Sequence, residues 1–333
     1  MTSQKIKQCD EMIEDRVAQH YAVGMNDHVR GAMRFHSPDD DPVARQYVPD
    51  EAELSSLEDE LVDPIGDHDY SPVKGIVHRY PDRVLYKVTS VCPVYCRYCF
   101  RKTMVGPGQD VLRKAERSAA LDYIRKDANI WEVIMTGGDP LMLSPKRLQQ
   151  EIADLNAIDH VNVVRIHTRM VAADPERITD EMLQALSSGD KMVYLVMHVN
   201  HAQEITPRVQ DAISRIRRQG IVALSQSVLL RGVNDDEDAL ESLFRGLVQC
   251  GVKPYMLHHL DRAPGTQHFR VSIARGQELM RALRGRVSGL CLPEYMLDIP
   301  GGFGKVPLTP QYCHEHGAGY DVTDYKGEMH YYE

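Results

Sequence analysis

The sequence lacks the features that would place it in a membrane or outside the cell. No apolar run approaches the ~20 residues that a helix needs to cross a bilayer. The first 16 residues are charged throughout, without the apolar core of a secretory signal. The seven cysteines are an odd number, and a chain of 333 residues does not need a disulfide framework to fold. These absences predict a cytoplasmic protein with no membrane partner.

Positive charge is also in short supply. The chain has 39 lysines and arginines against 48 aspartates and glutamates, a formal net charge of −9. This balance argues against a broad phosphate-binding face, so nucleic acid is not expected as a partner.

The sequence also has no evident repeats or low-complexity segments. The hydrophobic share of 43% is enough for a sizeable core, in one large α/β domain with additions or in two modest domains.

The pattern of apolar runs predicts an α/β fold. Short Val-, Ile-, Leu- and Tyr-rich runs without polar alternation are typical of strands buried on both faces. They occur at 83–91, 131–137, 161–168, 191–199, 221–230, 253–260 and 289–299. Helix-like segments lie between them at 110–126, 144–156, 206–220 and 235–251. This alternation favours a partial or full TIM-type (β/α) barrel, in which the chemistry lies at the carboxyl ends of the strands.

Three regions follow from this pattern. Residues 1–65 are predicted to be an N-terminal helical extension, with helices around 9–35 and 50–61. Residues 66–300 would form the barrel, and residues 301–333 a short C-terminal segment.

Cys92, Cys96 and Cys99 directly follow the first predicted barrel strand, with C-x3-C-x2-C spacing. Three thiolates on one loop suit an iron–sulfur cluster whose fourth iron keeps an open coordination position. Structural zinc is the alternative, but it needs a fourth ligand and there is no second C-x2-C pair. Cys313, His314 and His316 are the nearest substitute for one. The four scattered cysteines are predicted to be buried small hydrophobes or inert thiols: Cys9, Cys250, Cys291 and Cys313.

The cysteine motif, with an aromatic residue before its last cysteine, resembles the signature of the radical S-adenosylmethionine (SAM) superfamily. From about Pro72 to Pro307 the chain resembles the lysine 2,3-aminomutase family, in HRYPDRVL, CRYCFRK, TGGDPL, SQSVLLRGVND, HLDRAPGTQHFR and PGGFGK. The resemblance implies an isomerase with three cofactors: a [4Fe–4S] cluster, SAM and pyridoxal 5′-phosphate (PLP). SAM would bind the open iron and be cleaved to a 5′-deoxyadenosyl radical by an electron from a donor such as flavodoxin or ferredoxin.

The resemblance also assigns SAM contacts. Tyr98 would lie beside the adenine, and His198 and Gln226 near the SAM carboxylate. The TGGDP turn would lie beside the methionine amino group, and its glycines would let backbone amides approach the ligand. The residues of that turn are Gly137, Gly138 and Asp139. Without the family, His198 and Gln226 are equally well explained as satisfied core polar residues.

Lys305 follows a glycine-rich turn, PGGFGK. A phosphate-binding P-loop is excluded because the G-x4-G-K-[ST] pattern is not met and Val306-Pro307 cannot open a helix there. A surface lysine is the plain alternative. The resemblance implies instead that Lys305 is the catalytic lysine that forms a Schiff base with PLP. It further implies that Arg79, Tyr80 and Arg83 bind PLP, where guanidinium groups would suit the phosphate.

Three charged residues bear on the substrate. By resemblance, Arg101 would pair with the α-carboxylate, and Asp261 and Asp298 with the distal ammonium of lysine. Neighbouring carboxylates repel each other unless a cation lies between them, which favours a basic amino acid. The expected reaction is L-lysine to β-lysine, with ornithine and arginine left open. A β-lysine-forming enzyme dedicated to elongation factor P, an altered radical SAM/PLP enzyme and a non-catalytic iron–sulfur electron-transfer protein are the alternatives.

The chain departs from longer family members at its C-terminus. Those members carry a cysteine-rich tail that binds zinc across subunits, whereas this sequence ends at GEMHYYE and has Asp236 at the partner cysteine position. We therefore expect no structural zinc, and any homo-oligomer would have a smaller or different interface.

Overall fold

The computed structural model describes residues 12–106 and 111–333. Cys9 and the first residues of the helices predicted from 9 and 110 lie outside these ranges. Nine strands form one sheet whose spatial order follows the sequence. They are β1 (Ile76–Tyr80), β2 (Arg83–Thr89), β3 (Glu132–Gly137), β4 (Val163–Thr168), β5 (Met192–His198), β6 (Val222–Val228), β7 (Lys253–His258), β8 (Glu294–Ile299) and β9 (Gly304–Pro307).

Strands β2 to β8 are parallel, each paired with the next, while β1 and β9 join the two edges in antiparallel fashion. The α-helices with defined bounds are α1 (Asp27–Ala32), α2 (Ala44–Tyr47), α3 (Lys114–Lys126), α4 (Pro145–Asn156), α5 (Met170–Ala173), α6 (Asp180–Leu186), α7 (Pro207–Arg218), α8 (Glu237–Gln249) and α9 (Ile273–Arg286). The sheet is a nearly closed barrel, and the Lys305 backbone N–H donates to the Tyr80 hydroxyl at 2.7 Å between its two edges. The predicted α/β barrel class is confirmed.

Helix α7 shows how the sequence builds the outer layer. The Thr206 hydroxyl accepts the Val209 N–H at its start, and a proline occupies the first helical position, which needs no N–H donor. The side chains that α7 buries recur at intervals of three or four positions. They are Val209, Ala212, Ile213 and Ile216. This single apolar stripe packs the helix onto the barrel.

The N-terminal region differs from the predicted one. Residues 12–18 and α1 are helical, but the chain between them is not, so the continuous helix over 9–35 is not formed. The helix predicted over 50–61 is wrong, because only Glu51–Leu54 form a turn of 3-10 helix. Leu57 and Leu61 are 49% and 40% exposed, so this segment has no apolar stripe to bury.

Three short strands complete the chain: β10 (Cys313–His316), β11 (Gly319–Thr323) and β12 (Met329–Tyr332). They form a separate antiparallel sheet. The apolar pattern of the sequence does not predict this sheet, because β10 and β12 are exposed along their whole length. Among the described residues, no helix has the length and apolar character needed to cross a membrane.

Candidate active site

A cavity of about 650 Å³ lies inside the barrel and is lined by residues from all nine strands and the loop after β2. The structure brings every predicted site residue to its wall. These are Arg79, Tyr80, Arg83, Cys92, Cys96, Tyr98, Cys99, Arg101, Gly137, Gly138, Asp139, His198, Gln226, Asp261, Asp298 and Lys305. Most of them lie at or just beyond the carboxyl ends of the strands, as a barrel enzyme requires.

Cys92, Cys96 and Cys99 line the cavity but are not arranged around a single ion. Zinc ligands lie about 2.3 Å from the metal, which brings their sulfurs close together. Among the residues described, these three thiols do not form a group whose ligand atoms all lie within 4.8 Å of one another. Burial raises the pKa of all three thiols, that of Cys99 to about 11. Bound iron would be needed to hold them as thiolates.

A buried ionic network fixes the cysteine loop. Arg97 donates to both carboxylate oxygens of Glu53 at 2.7–3.0 Å and to the Ala22 carbonyl at 2.8 Å. Lys102 donates to Glu53 at 2.7 Å and to the Gly265 carbonyl at 3.2 Å. The loop is thereby tied to the N-terminal region and to the loop after β7. The sequence carried no signal for this network, because its members are far apart in the chain.

The two glycines of the TGGDP turn pack against the start of the cysteine loop, and their contact with SAM stays a prediction. The Gly138 N–H donates to the Thr89 carbonyl at 2.6 Å, so it is already used inside the protein. A Cβ on Gly137 would lie 2.3 Å from the Thr89 oxygen, and one on Gly138 would lie 2.4 Å from the Val91 oxygen. The glycines therefore let this turn pack directly against the start of the cysteine loop.

Asp139 braces the same region. Its buried carboxylate accepts the Thr168 hydroxyl at 2.8 Å and the backbone N–H groups of Leu141, Arg169 and Met170 at 2.7–3.0 Å. With these acceptor positions filled, the side chain joins the turn after β3 to the turn after β4. Its contact with SAM stays a prediction.

A polar chain crosses the barrel interior from β5 to β8. The Gln226 amide nitrogen lies 2.5 Å from His198 Nε2, and its oxygen lies 3.3 Å from His258 Nε2. His258 Nδ1 is 4.0 Å from a carboxylate oxygen of Asp298. Burial, followed by the charge of Arg169, lowers the pKa of His198 to about 3, so this ring is neutral. His258 is not predicted from the sequence, although it is the first of the paired histidines of HHLD.

Lys305 and Asp298 form an ion pair on the cavity wall. They are register partners on β9 and β8, and the Lys305 ammonium donates to Asp298 Oδ2. Asp298 Oδ1 is buried without a hydrogen-bond partner. Burial and then the charge of Asp298 raise the pKa of Asp261, on the loop after β7, to about 7. The two acidic groups, Asp261 and Asp298, thus have the Lys305 ammonium as a neighbouring cation.

Arginines line the same cavity as Lys305. Arg79 donates to the Ile65 carbonyl at 2.5 Å, but its Nε is buried and unpartnered. Arg83 stacks on the Tyr80 ring, 3.7 Å from the ring centroid, and donates to Asp82 at 2.6 Å. An orphaned guanidinium nitrogen and a second guanidinium near a lysine fit the phosphate and aldehyde of PLP.

Arg101 is positioned by a residue that sequence analysis did not single out. The fully buried Asp67 accepts from Arg101 at 2.9 and 3.3 Å, and lies 3.4 Å from Arg79 and 3.7 Å from Lys87. Burial alone would raise the pKa of Asp67, but the charges of Arg101 and Lys87 hold it below its usual value. One carboxylate thus orients two of the predicted ligand-binding arginines.

The alternative metal ligands do not come together. Cys313, His314 and His316 lie on the exposed strand β10. In the part of the chain that the structure describes, the side chains that converge closely enough for one ion are the surface residues Asp324, Glu328 and His330. Asp324 already accepts from the turn backbone and from His330, which accounts for this group without an ion.

Comparison with known proteins gives two family matches. Residues 86–243 match the Radical SAM superfamily, and residues 280–327 match the family model described as Lysine-2,3-aminomutase. The L-lysine 2,3-aminomutase of Escherichia coli (strain K12) is 36% identical over 82% of this chain and 79% of its own length.

Two clostridial relatives are similar at the same level. The L-lysine 2,3-aminomutase of Clostridium subterminale is 40% identical over 82% of this chain, and the glutamate 2,3-aminomutase of Clostridioides difficile (strain 630) is 37% identical over 84%. The chain spans only 65% and 66% of the lengths of these two proteins.

Proposed function

The chain belongs to the lysine 2,3-aminomutase family of radical SAM isomerases, and we propose that it moves the α-amino group of a basic L-amino acid to the β-carbon. L-Lysine is the proposed substrate and β-lysine the product. The cofactors of the family are a [4Fe–4S] cluster, SAM and PLP. A small electron-transfer protein is the proposed reductant.

The choice of L-lysine as the substrate rests on the two acidic residues beside Lys305, which are Asp261 and Asp298. Asp298 already binds a primary ammonium group, that of Lys305, and keeps one buried oxygen unpartnered. Asp261 lines the same cavity and is disposed to hold a proton until a further cation arrives. A substrate ammonium would satisfy both groups, whereas the side-chain carboxylate of glutamate would be repelled by them.

Each part of the cavity has a proposed task. Cys92, Cys96 and Cys99 would hold the cluster, and Arg101, oriented by Asp67, would bind the α-carboxylate. Lys305 would hold PLP, with Arg79 and Arg83 at its phosphate. When bound, SAM supplies the radical that removes the β-hydrogen, and PLP supplies the conjugated nitrogen that stabilises the migrating group. The chain itself fixes the substrate by its two charged ends and keeps water out.

The comparisons do not choose between lysine and glutamate, because relatives of both kinds are similar to this chain. A substrate panel does. The protein is incubated anaerobically with reductant and SAM, and with L-lysine, L-ornithine, L-arginine or L-glutamate, and the products are assayed for β-amino acids. We expect turnover of lysine first and none of glutamate. Turnover of glutamate alone would refute the proposal.

Two variants sharpen this experiment. Lys305→Ala should abolish the visible absorption of bound PLP while leaving iron content unchanged, which separates the PLP site from the cluster site. Asp298→Asn should retain the iron–sulfur cluster and PLP and lose lysine turnover. If Asp298→Asn turned lysine over normally, the acidic pair would not be the ammonium subsite.

A further inference from the structure

His258 lies on β7 where the cavity holds Lys305 and Asp298. Its two ring nitrogens face different partners. Nε2 is 3.3 Å from the Gln226 amide oxygen, and Nδ1 is 4.0 Å from Asp298 Oδ2, the oxygen that also accepts from Lys305. The imidazole therefore lies between the Gln226 side chain and the Asp298 carboxylate.

Gln226 decides which nitrogen of His258 carries the proton. The amide nitrogen of Gln226 is directed at His198 Nε2, 2.5 Å away, so the amide donates there and its oxygen is left to accept. That oxygen accepts the proton on His258 Nε2, which leaves Nδ1 with a lone pair. The 4.0 Å separation from Asp298 agrees, because a donating Nδ1–H would approach a carboxylate to about 2.8 Å.

The ring stays neutral in this position. Burial, and then the charge of Lys305, holds the pKa of His258 well below its usual value. The charged groups near it are Asp298 on β8 and Lys305 on β9, and the neutral rings of His167 on β4 and His198 on β5 are also nearby. A neutral imidazole with a free Nδ1 is a hydrogen-bond acceptor, and here it lies 4.0 Å from the carboxylate oxygen that already binds the Lys305 ammonium.

We infer that His258 Nδ1 is the third acceptor of the ammonium subsite, beside Asp261 and Asp298, and that this trio selects primary ammonium groups over guanidinium groups. The inference rests on the proposed function, since it takes a basic amino acid as the substrate. It adds a specificity residue and separates lysine and ornithine from arginine.

The selectivity follows from the directions of the donors. A primary ammonium has three N–H groups that diverge from one nitrogen, so it can reach acceptors on β7, on β8 and on the loop after β7 at once. A guanidinium carries five N–H groups in one plane and suits a coplanar, bidentate carboxylate. The ammonium of Lys305 seated on Asp298 shows that a group of the first kind fits beside His258.

The experiment compares His258→Leu, which removes the acceptor, with His258→Asn, whose amide oxygen can replace Nδ1. Losing one hydrogen bond to a charged group should raise the KM for L-lysine by about 10- to 100-fold, with a smaller change in kcat. The lysine-to-arginine ratio of kcat/KM should fall by a similar factor. His258→Asn should restore most of both. Iron content, PLP absorption and Tm of each variant serve as folding controls.

A second measurement does not depend on turnover. ¹⁵N NMR of histidine-labelled, anaerobically purified holoprotein should show His258 with a protonated Nε2 and an unprotonated Nδ1. L-Lysine should shift the Nδ1 signal, and L-arginine should shift it less. A proton on Nδ1, or an unchanged lysine-to-arginine ratio in His258→Leu, would overturn the role of His258. If no basic amino acid were turned over at all, the proposed function itself would fail.

Discussion

Asp261 is the residue whose protonation should control substrate capture. Its pKa near 7, raised by burial and then by Asp298, means that it is largely protonated below neutral pH. Only the ionised form attracts an ammonium group, so kcat/KM for L-lysine should rise with pH up to about 7 and then level off. At acidic pH the slope should approach about tenfold per pH unit. Asp261→Asn should have a lower kcat/KM without this pH dependence, and a profile that kept it would assign the titration to another group.

Asp67 is the residue whose charge should matter most for stability around the site. It is fully buried against Arg101, Arg79 and Lys87. Asp67→Asn leaves these cations without their counter-charge and should lower the free energy of unfolding by about 3–5 kcal/mol at pH 7.

The lowered pKa of Asp67 also gives the sign of its pH dependence. The stabilisation is present above the unfolded-state pKa of about 3.9 and is lost as the pH falls through the lower folded-state value. Denaturant titrations at pH 7 and pH 3 should therefore show a smaller gap between wild type and Asp67→Asn at pH 3. An equal gap at both pH values would contradict this account.

At the scale of elements, the turn after β3 should be intolerant of any side chain. A Cβ at position 138 would lie 2.4 Å from the Val91 oxygen and would push the cysteine loop away from the sheet. Gly138→Ala should cost about 1–3 kcal/mol and lose most of the iron that the wild type retains after anaerobic reconstitution. Gly289→Ala is the matched control, because a Cβ there meets nothing within 4 Å. Equal iron in both variants would show that the packing of this turn does not position the cluster ligands.

The sequence predicted the central elements well because burial leaves a plain pattern. The seven parallel strands are continuous apolar runs, and the structure places each within one or two residues of the expected start or inside the expected run. Strand β1 was missed because Arg79 and Tyr80 face the cavity and interrupt its apolar pattern. The helix predicted over 50–61 does not form, because Leu57 and Leu61 are exposed and bury no apolar stripe.

The positions of the candidate site residues followed from motifs, but their supports did not. Glu53, Asp67 and His258 act through partners that are close only in space, such as Arg97, Arg101 and Gln226. These partners lie 44, 34 and 32 positions apart in the chain, and no short sequence motif spans such separations. The motifs therefore predict which residues line the cavity, whereas the residues that hold them in place are visible only in the structure.

For the whole molecule, Glu53 is the joint between the N-terminal region and the barrel. Its carboxylate neutralises Arg97 and Lys102, all three of them almost fully buried. Glu53→Gln should lower the free energy of unfolding by about 3–5 kcal/mol, and it should loosen the cysteine loop so that iron is lost faster to a chelator. Arg16→Ala, which breaks an exposed contact with Glu51, is the control and should change stability by less than about 1 kcal/mol. A Glu53→Gln protein that held its iron as firmly as the wild type would show that the loop needs no such anchor.

The contacts of Glu53, Arg97 and Lys102 join segments that are far apart in the chain, and this bears on the order of events during synthesis. The three thiols leave the ribosome well before Gly265, whose carbonyl receives Lys102 and helps to shape the loop that carries them. A nascent chain that has exposed its cysteines therefore still lacks the scaffold that would aim them at a common point. Iron and sulfide delivered at that stage would meet thiols that this contact does not yet align, so we expect the cluster to be loaded after the barrel has closed.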